Sequence, residues 1–185
     1  PVAMGQPSAA YPLYWSVYPW IDGNHASVHR ISDMCAFGRS LAHFLNALRQ
    51  CPIIGGPLAG EHNFHRGGSL DVYDDETQQA IRGLPDKNQA DAVTEIWNVA
   101  LASQWKLPPV WVHGDIAPAN LLVQGGVLKA VIDFGQLGIG DPACDLAIAW
   151  TFLTDESRKV FHASLQLDDN TWARGRGWAL WKALC

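Results

Sequence analysis

The chain has 185 residues and a formal net charge of −5, from 13 Lys and Arg against 18 Asp and Glu, a balance that argues against a nucleic-acid-binding protein. It is long enough to bury a core, and it shows neither a membrane-spanning apolar run nor a signal peptide. The four cysteines have no CxxC spacing, so reduced thiols in the cytoplasm are the simplest interpretation.

The first part of the chain predicts a strand, a helix and then a long irregular segment. Residues 14–20 are typical of a strand, and Ser32 or Asp33 can cap a helix that reaches about Gln50, because apolar residues recur there at i, i+4 and i+7. Residues 51–73 are rich in Gly and Pro, and a long irregular segment inside a compact lobe is often functional. Further helices are predicted at 74–83, 86–104, 142–153, 155–165 and 169–184, the first two opening with an Asp cap and the third with Asp141 as cap.

The interval 110–133 is the best-supported β unit. Apolar residues 110–112 predict a buried strand, and two further apolar runs, 121–124 and 127–132, flank Gly125-Gly126, a hairpin signal. A turn centred on these glycines pairs Asn120 with Val131. Asp133 then points to the same face as Asn120, and Asp115 can approach from the preceding loop.

These three side chains are the oxygen ligands and the base that phosphoryl transfer requires. Mg²⁺ takes one or two carboxylates together with waters and phosphate oxygens. Asn120 and Asp133 are therefore the predicted metal ligands, and Asp115 is the predicted acceptor of the proton from an attacking hydroxyl.

The motifs His113-Gly114-Asp115, Asn120, Ile132-Asp133-Phe134-Gly135 and the run from Gly140 to Ala147 resemble the aminoglycoside phosphotransferase family, small-molecule kinases of the protein-kinase-like fold. The resemblance extends back to residues 11–23, which look like the last N-lobe strand and the hinge. It implies an α+β fold: remnant N-lobe strands and hinge at 1–23, then a mainly helical C-lobe at 24–185 with a catalytic β-hairpin.

The resemblance also implies roles for individual residues. Asp115 is the implied catalytic base, and Asn120 and Asp133 are the implied metal ligands. The backbone at Pro19, Trp20 and Ile21 is expected to meet adenine. Three further residues are expected to support the site structurally: His113, Asp141 and Asp145.

The expected function is ATP-dependent phosphorylation of a hydroxyl group on a small molecule in the cytoplasm, with Mg²⁺. Aminoglycosides, other antibiotics, choline-like alcohols, homoserine and sugars all remain open as acceptors. The acceptor is expected beside Asp115, walled by residues 51–73 and the later helices. The acidic residues considered for its binding are Glu61, Asp71, Asp74, Asp75, Asp155 and Glu156.

Two other functions remain open: a non-catalytic nucleotide- or partner-binding protein, and a metal-dependent phosphohydrolase. The first 29 residues contain no Lys or Arg, and the chain has no Gly-rich loop, phosphate-binding lysine or partner glutamate helix. We therefore expect a fragment that binds ATP weakly and does not turn over alone.

Overall fold

The computed structural model describes residues 1–185 and shows an α+β fold in which helices predominate. The predicted fold class is confirmed. The helices are α1 (Met34–Arg49), α2 (Asp74–Arg82), α3 (Lys87–Leu101), α4 (Ile148–Thr151), α5 (Asp155–Leu165) and α6 (Asp169–Leu184). The strands are β1 (Ala3–Gly5), β2 (Trp15–Val17), β3 (Asn24–His25), β4 (Val110–Val112), β5 (Leu121–Gln124), β6 (Val127–Val131) and β7 (Gly138–Gly140). Single 3₁₀ turns occur at Val28–Arg30, Glu61–Asn63, Leu70–Tyr73, Pro118–Asn120 and Pro142–Leu146.

The predicted helices form with small differences at their ends. The side chain of Asp33 accepts hydrogen bonds from two backbone N–H groups in the first turn of α1, and Asp86 does the same for α3. Asp74 is not a cap, because a 3₁₀ turn precedes it and Tyr73 takes the N-cap position of α2. The helix predicted at 142–153 is a 3₁₀ turn followed by the short α4. This segment is buried on nearly all sides, so packing overrides the helical pattern.

The strands form three small antiparallel sheets, with the orders β1-β2, β3-β5-β6 and β4-β7. The hairpin β5-β6 was predicted, but its two extra neighbours were not. Strand β3 adds an edge to the hairpin through Asn24 and His25, and β7 pairs with β4 along its whole length. Both strands are only two or three residues long, too short to show an alternating pattern in the sequence.

The predicted register of the hairpin is wrong by one residue. Gln124 pairs with Val127 as expected, but a β-bulge shifts the register, so that Leu121 rather than Asn120 lies opposite Val131. A bulge adds one unpaired residue to one strand. Asn120 instead accepts a hydrogen bond from the backbone N–H of Ile132, at 2.9 Å. The argument that placed Asn120 and Asp133 on one face by alternation therefore fails.

Two hydrophobic clusters support the loop between β4 and β5. The larger one joins α1 to α5 and to the buried side of β5, with Phe37, Leu41 and Phe161 at 2% exposure or less. The second joins α3 to α6 around Trp97 and Trp178, which are 0% and 1% exposed. Full burial of each such side chain contributes roughly 1.5–3 kcal/mol. The clusters therefore fix the helices against the β unit.

The β1-β2 ribbon pairs with none of the other strands. Its surroundings expose large apolar side chains, including Trp20 at 88% and Tyr14 at 73%. The division of the chain into N-lobe strands at 1–23 and a C-lobe at 24–185 stays a prediction. None of the helices combines the length and the apolar character that crossing a bilayer requires.

Candidate active site

The buried carboxylate of Asp145 holds the loop that follows β4. Asp145 is 3% exposed, and its two oxygens accept hydrogen bonds from the backbone N–H groups of His113, at 2.9 Å, and Gly114, at 2.8 Å. Burial raises the pKa of Asp145, while the His113 side chain and the two backbone donors act in the opposite direction. The resemblance implied that Asp145 supports the site structurally, and these two hydrogen bonds are the contacts through which it would do so.

Gly114 occupies a position that other residues cannot take without strain. Its φ is +84°, and a Cβ there would lie 2.4 Å from the carbonyl oxygen of Gln136. Glycine tolerates this conformation because it has no side chain. The segment after β6 can therefore pass directly over the loop.

His113 connects the loop to the end of the hairpin. Its ring is fully buried, and Nδ1 accepts a hydrogen bond from the backbone N–H of Asp115 at 3.2 Å. This assigns the hydrogen to Nε2, which donates to the carbonyl oxygen of Ile132 at 3.0 Å. The imidazole thus bridges the backbone of Asp115 and that of Ile132, the residue before Asp133.

Asp115 and Asn120 are in direct contact. The amide Nδ2 of Asn120 donates to the backbone oxygen of Asp115 at 2.9 Å and to its carboxylate Oδ2 at 3.0 Å. The 3₁₀ turn Pro118–Asn120 between them brings the two side chains together. The side-chain amide oxygen of Asn120 accepts none of the side-chain hydrogen bonds of the structure, so it is available to a cation.

Asp133 lies one residue beyond Ile132, which bonds to both Asn120 and His113. Its φ of +63° turns the chain sharply, and Oδ1 accepts a hydrogen bond from the backbone N–H of Gly135 at 3.3 Å. No group of three or more His, Cys, Asp or Glu side chains forms a metal site. Mg²⁺ needs fewer protein ligands, since it retains waters and takes phosphate oxygens. The oxygens of Asn120 and Asp133 fit that chemistry.

Sequence reasoning missed Lys182. Its Nζ lies 3.1 Å from Oδ1 of Asp115, and the two side chains are 22% and 30% exposed. Lys182 belongs to the last turn of α6, where a lysine is ordinarily explained by the negative end of the helix dipole. Nothing in its position in the sequence pointed to a residue 67 positions earlier.

Asp141 and Arg174 form a buried ion pair beneath the site. Arg174 Nε lies 2.6 Å from Asp141 Oδ2, and the side chains are 5% and 8% exposed. Asp141 also caps the 3₁₀ turn at Pro142 by accepting from the backbone N–H of Ala143. Burial raises the pKa of Asp141, and the hydrogen bonds from Arg174 oppose this. Asp141 was predicted as a cap, but its partner on α6 was not predicted.

Residues 51–73 do pack against the loop, through Arg66 rather than through an acid. Arg66 is 6% exposed, its Nε donates to the side-chain oxygen of Gln136 at 3.2 Å, and its guanidinium lies over the rings of Trp178 and Trp181. Four of the six acidic residues considered for acceptor binding have partners outside the loop of Asp115. Asp74 binds Trp97, Asp71 binds Ser69, Asp155 pairs with Arg158, and Glu156 pairs with Lys159.

The loop of Asp115 and Asn120 thus lies beside the β5-β6 hairpin, within a lobe that is mainly helical. The sequence profile of the phosphotransferase enzyme family, APH, matches residues 1–178. The chain therefore belongs to this family, as its motifs predicted.

The curated relatives include two bacterial aminoglycoside 3′-phosphotransferases. The one from Escherichia coli is 29% identical over 123 residues, and the one from Salmonella typhimurium is 30% identical over 131 residues. Each alignment covers 64% of this chain and 44% of the relative. The chain thus spans less than half the length of these relatives.

Solved structures share the fold at low identity. The GDP and kanamycin complex of APH(2″)-IIIa superimposes with a TM-score of 0.69 at 19% identity, covering 99% of this chain and 65% of that one. The macrolide 2′-phosphotransferase MphH from Brachybacterium faecium gives a TM-score of 0.57 at 22% identity, covering 85% and 57%. Identity this low supports the fold alone.

Proposed function

We propose that this chain carries the catalytic lobe of an ATP-dependent phosphotransferase that acts on a hydroxyl group of a small molecule. The observation that carries the proposal is the contact between Asp115 and Asn120 on a loop that Asp145 and His113 fix from two sides. A binding module has no need of a carboxylate presented in this way. Membership of the phosphotransferase enzyme family adds independent support.

In the proposed reaction, the carboxylate of Asp115 accepts the hydroxyl proton as the acceptor oxygen bonds to the γ-phosphorus of ATP. The bond from that phosphorus to the β–γ bridging oxygen breaks, and ADP leaves with its electron pair. Asn120, which already fixes the carboxylate, and Asp133 would hold Mg²⁺ through their oxygens. When bound, Mg²⁺ neutralises charge on the phosphate oxygens. The remaining work of the chain is positioning: His113 and Asp145 keep the Asp115 backbone in place, so the base meets the hydroxyl without rearrangement.

The nucleotide is proposed to meet the backbone of Pro19, Trp20 and Ile21. Pro19 has no N–H, but its carbonyl oxygen and the N–H of Ile21 are available, because none of the hydrogen bonds of the structure involves these residues. Two structures similar to this chain are complexes of APH(2″) enzymes with nucleotides, one with ATP and one with GDP, which supports a nucleotide as phosphate donor. We propose ATP, and a cytoplasmic location in which ATP is available and the four unpaired cysteines stay reduced.

The experiment measures ADP release by the full-length gene product, with and without a panel of hydroxylated small molecules. A kinase gives ADP release that depends on the acceptor, a phosphohydrolase gives release without it, and a non-catalytic binding protein gives neither. D115N should lower turnover by about 10²–10⁴-fold, the usual contribution of a general base.

The control is D91N, which removes an equivalent charge from an exposed carboxylate on α3. Turnover of D91N should match that of the wild type. Turnover by D115N at the same level as D91N would show that Asp115 is not the base.

A further inference from the structure

The two carboxylate oxygens of Asp115 face different partners. Oδ2 accepts from the amide of Asn120 at 3.0 Å, and Oδ1 lies 3.1 Å from the ammonium group of Lys182. These partners belong to different elements: Asn120 ends the 3₁₀ turn that leads into the hairpin, and Lys182 lies in the last turn of α6. The carboxylate is therefore held between an uncharged amide and a cation.

The proposed function assigns a different role to each side. Asn120 and Asp133 would hold the cation and the phosphates, so the side of Oδ2 is the nucleotide side. The acceptor hydroxyl attacks in line from the opposite direction. Lys182, at Oδ1, consequently lies beside the place where the acceptor must bind.

The ammonium group changes the charge that an acceptor meets. A base carboxylate alone would attract a cationic acceptor, but Lys182 neutralises it at contact distance. Arg66 is a further cation close to this loop: its Cβ lies 3.1 Å from where a Cβ on Gly114 would stand, and its Nη1 is buried without a hydrogen-bond partner. Asp145 also interacts electrostatically with Lys182, but it is 3% exposed and both of its oxygens bind backbone N–H groups, so an acceptor cannot contact it directly.

We propose that Lys182 is a specificity-determining residue of this site. It masks the charge of Asp115 and selects acceptors whose reacting hydroxyl is flanked by oxygen functions, which its ammonium can donate to. It selects against acceptors that carry an ammonium group beside that hydroxyl, as polycationic aminoglycosides do. This inference rests on the proposed function for its assignment of sides.

The test is binding of kanamycin, used as a polycationic probe, to the full-length gene product by titration calorimetry. K182M should bind kanamycin about fivefold more tightly than the wild type, equivalent to about 1 kcal/mol, because an unmasked Asp115 attracts the probe. This increase in kanamycin affinity should become smaller as ionic strength rises, because salt screens the attraction between charges. The variant D115N/K182M should lose it, because its target carboxylate is gone.

The matched control is K159M, which removes a lysine of the same kind that pairs with Glu156 at 2.8 Å on the exposed face of α5. K159M should bind kanamycin as the wild type does. K182Q, which is also uncharged, repeats the test if K182M unfolds, as circular dichroism would show. The inference is overturned if K182M and K182Q bind kanamycin no better than K159M, or if D115N/K182M keeps the gain. ADP release tests the proposed function and kanamycin binding tests the role of Lys182, so a failure of one can be distinguished from a failure of the other.

Discussion

Replacement of Arg174 by methionine is expected to destabilise the protein strongly, because it leaves a carboxylate buried without its cation. Arg174 donates to both oxygens of Asp141, at 2.6 and 3.3 Å, and also to Ser103 and Thr171. Removal of one partner of a buried pair costs roughly 3–5 kcal/mol. For a chain of this length, each kcal/mol lowers Tm by about 2–4 °C, so the melting temperature should fall by roughly 6–20 °C.

The loss of stability in R174M should also depend on pH. Burial raises the pKa of Asp141, and Arg174 opposes the rise, so R174M should raise the pKa further. A carboxyl whose pKa is higher in the folded state than in the unfolded state is most favourable below the unfolded pKa, about 3.9, and loses stability as pH rises through the folded pKa. The difference in free energy of unfolding between R174M and the wild type should therefore be smaller at about pH 3.9, the pKa of the unfolded carboxyl, than at neutral pH.

The assay is urea unfolding followed by tryptophan fluorescence, with R176M as control, because Arg176 lies on the same helix and is exposed. The double variant D141N/R174M should recover part of the loss, since it removes the unpaired charge as well as its partner. If R174M is no less stable than R176M, or equally destabilised at both pH values, the reasoning about the buried pair is wrong.

Two further predictions concern other buried groups. D145A should abolish acceptor-dependent turnover in the full-length gene product and lower the free energy of unfolding by roughly 2–5 kcal/mol in a urea titration, because two buried N–H groups lose their acceptors; turnover at the wild-type level would contradict this. The pKa of the Cys144 thiol is raised by its complete burial, so a thiol-specific disulfide reagent should leave it unmodified in the folded protein while it modifies the exposed thiols of Cys51 and Cys185. Labelling of Cys144 at their rate would refute the packing described for the 3₁₀ turn.

Local interactions made several features predictable from the sequence. Asp33 and Asp86 cap their helices through N–H groups two or three residues away, so short-range chemistry is sufficient to identify them. The glycine pair at the hairpin turn, both residues with positive φ, is a signal of the same local kind. The contact between Asp115 and Asn120 spans only five residues.

Only the tertiary structure decided which distant groups complete the site. The bulge in the hairpin moved Asn120 out of the register that alternation predicted. The pairs Lys182–Asp115 and Arg174–Asp141 join residues 67 and 33 positions apart, and no helical or strand period relates such positions. Their closeness results from the packing of α6 against α3 and against the 3₁₀ turn at Pro142. The sequence by itself therefore identified Asp115 as the predicted base, the amide of Asn120 and the local turns that carry both residues, whereas long-range packing determined the charges that surround Asp115.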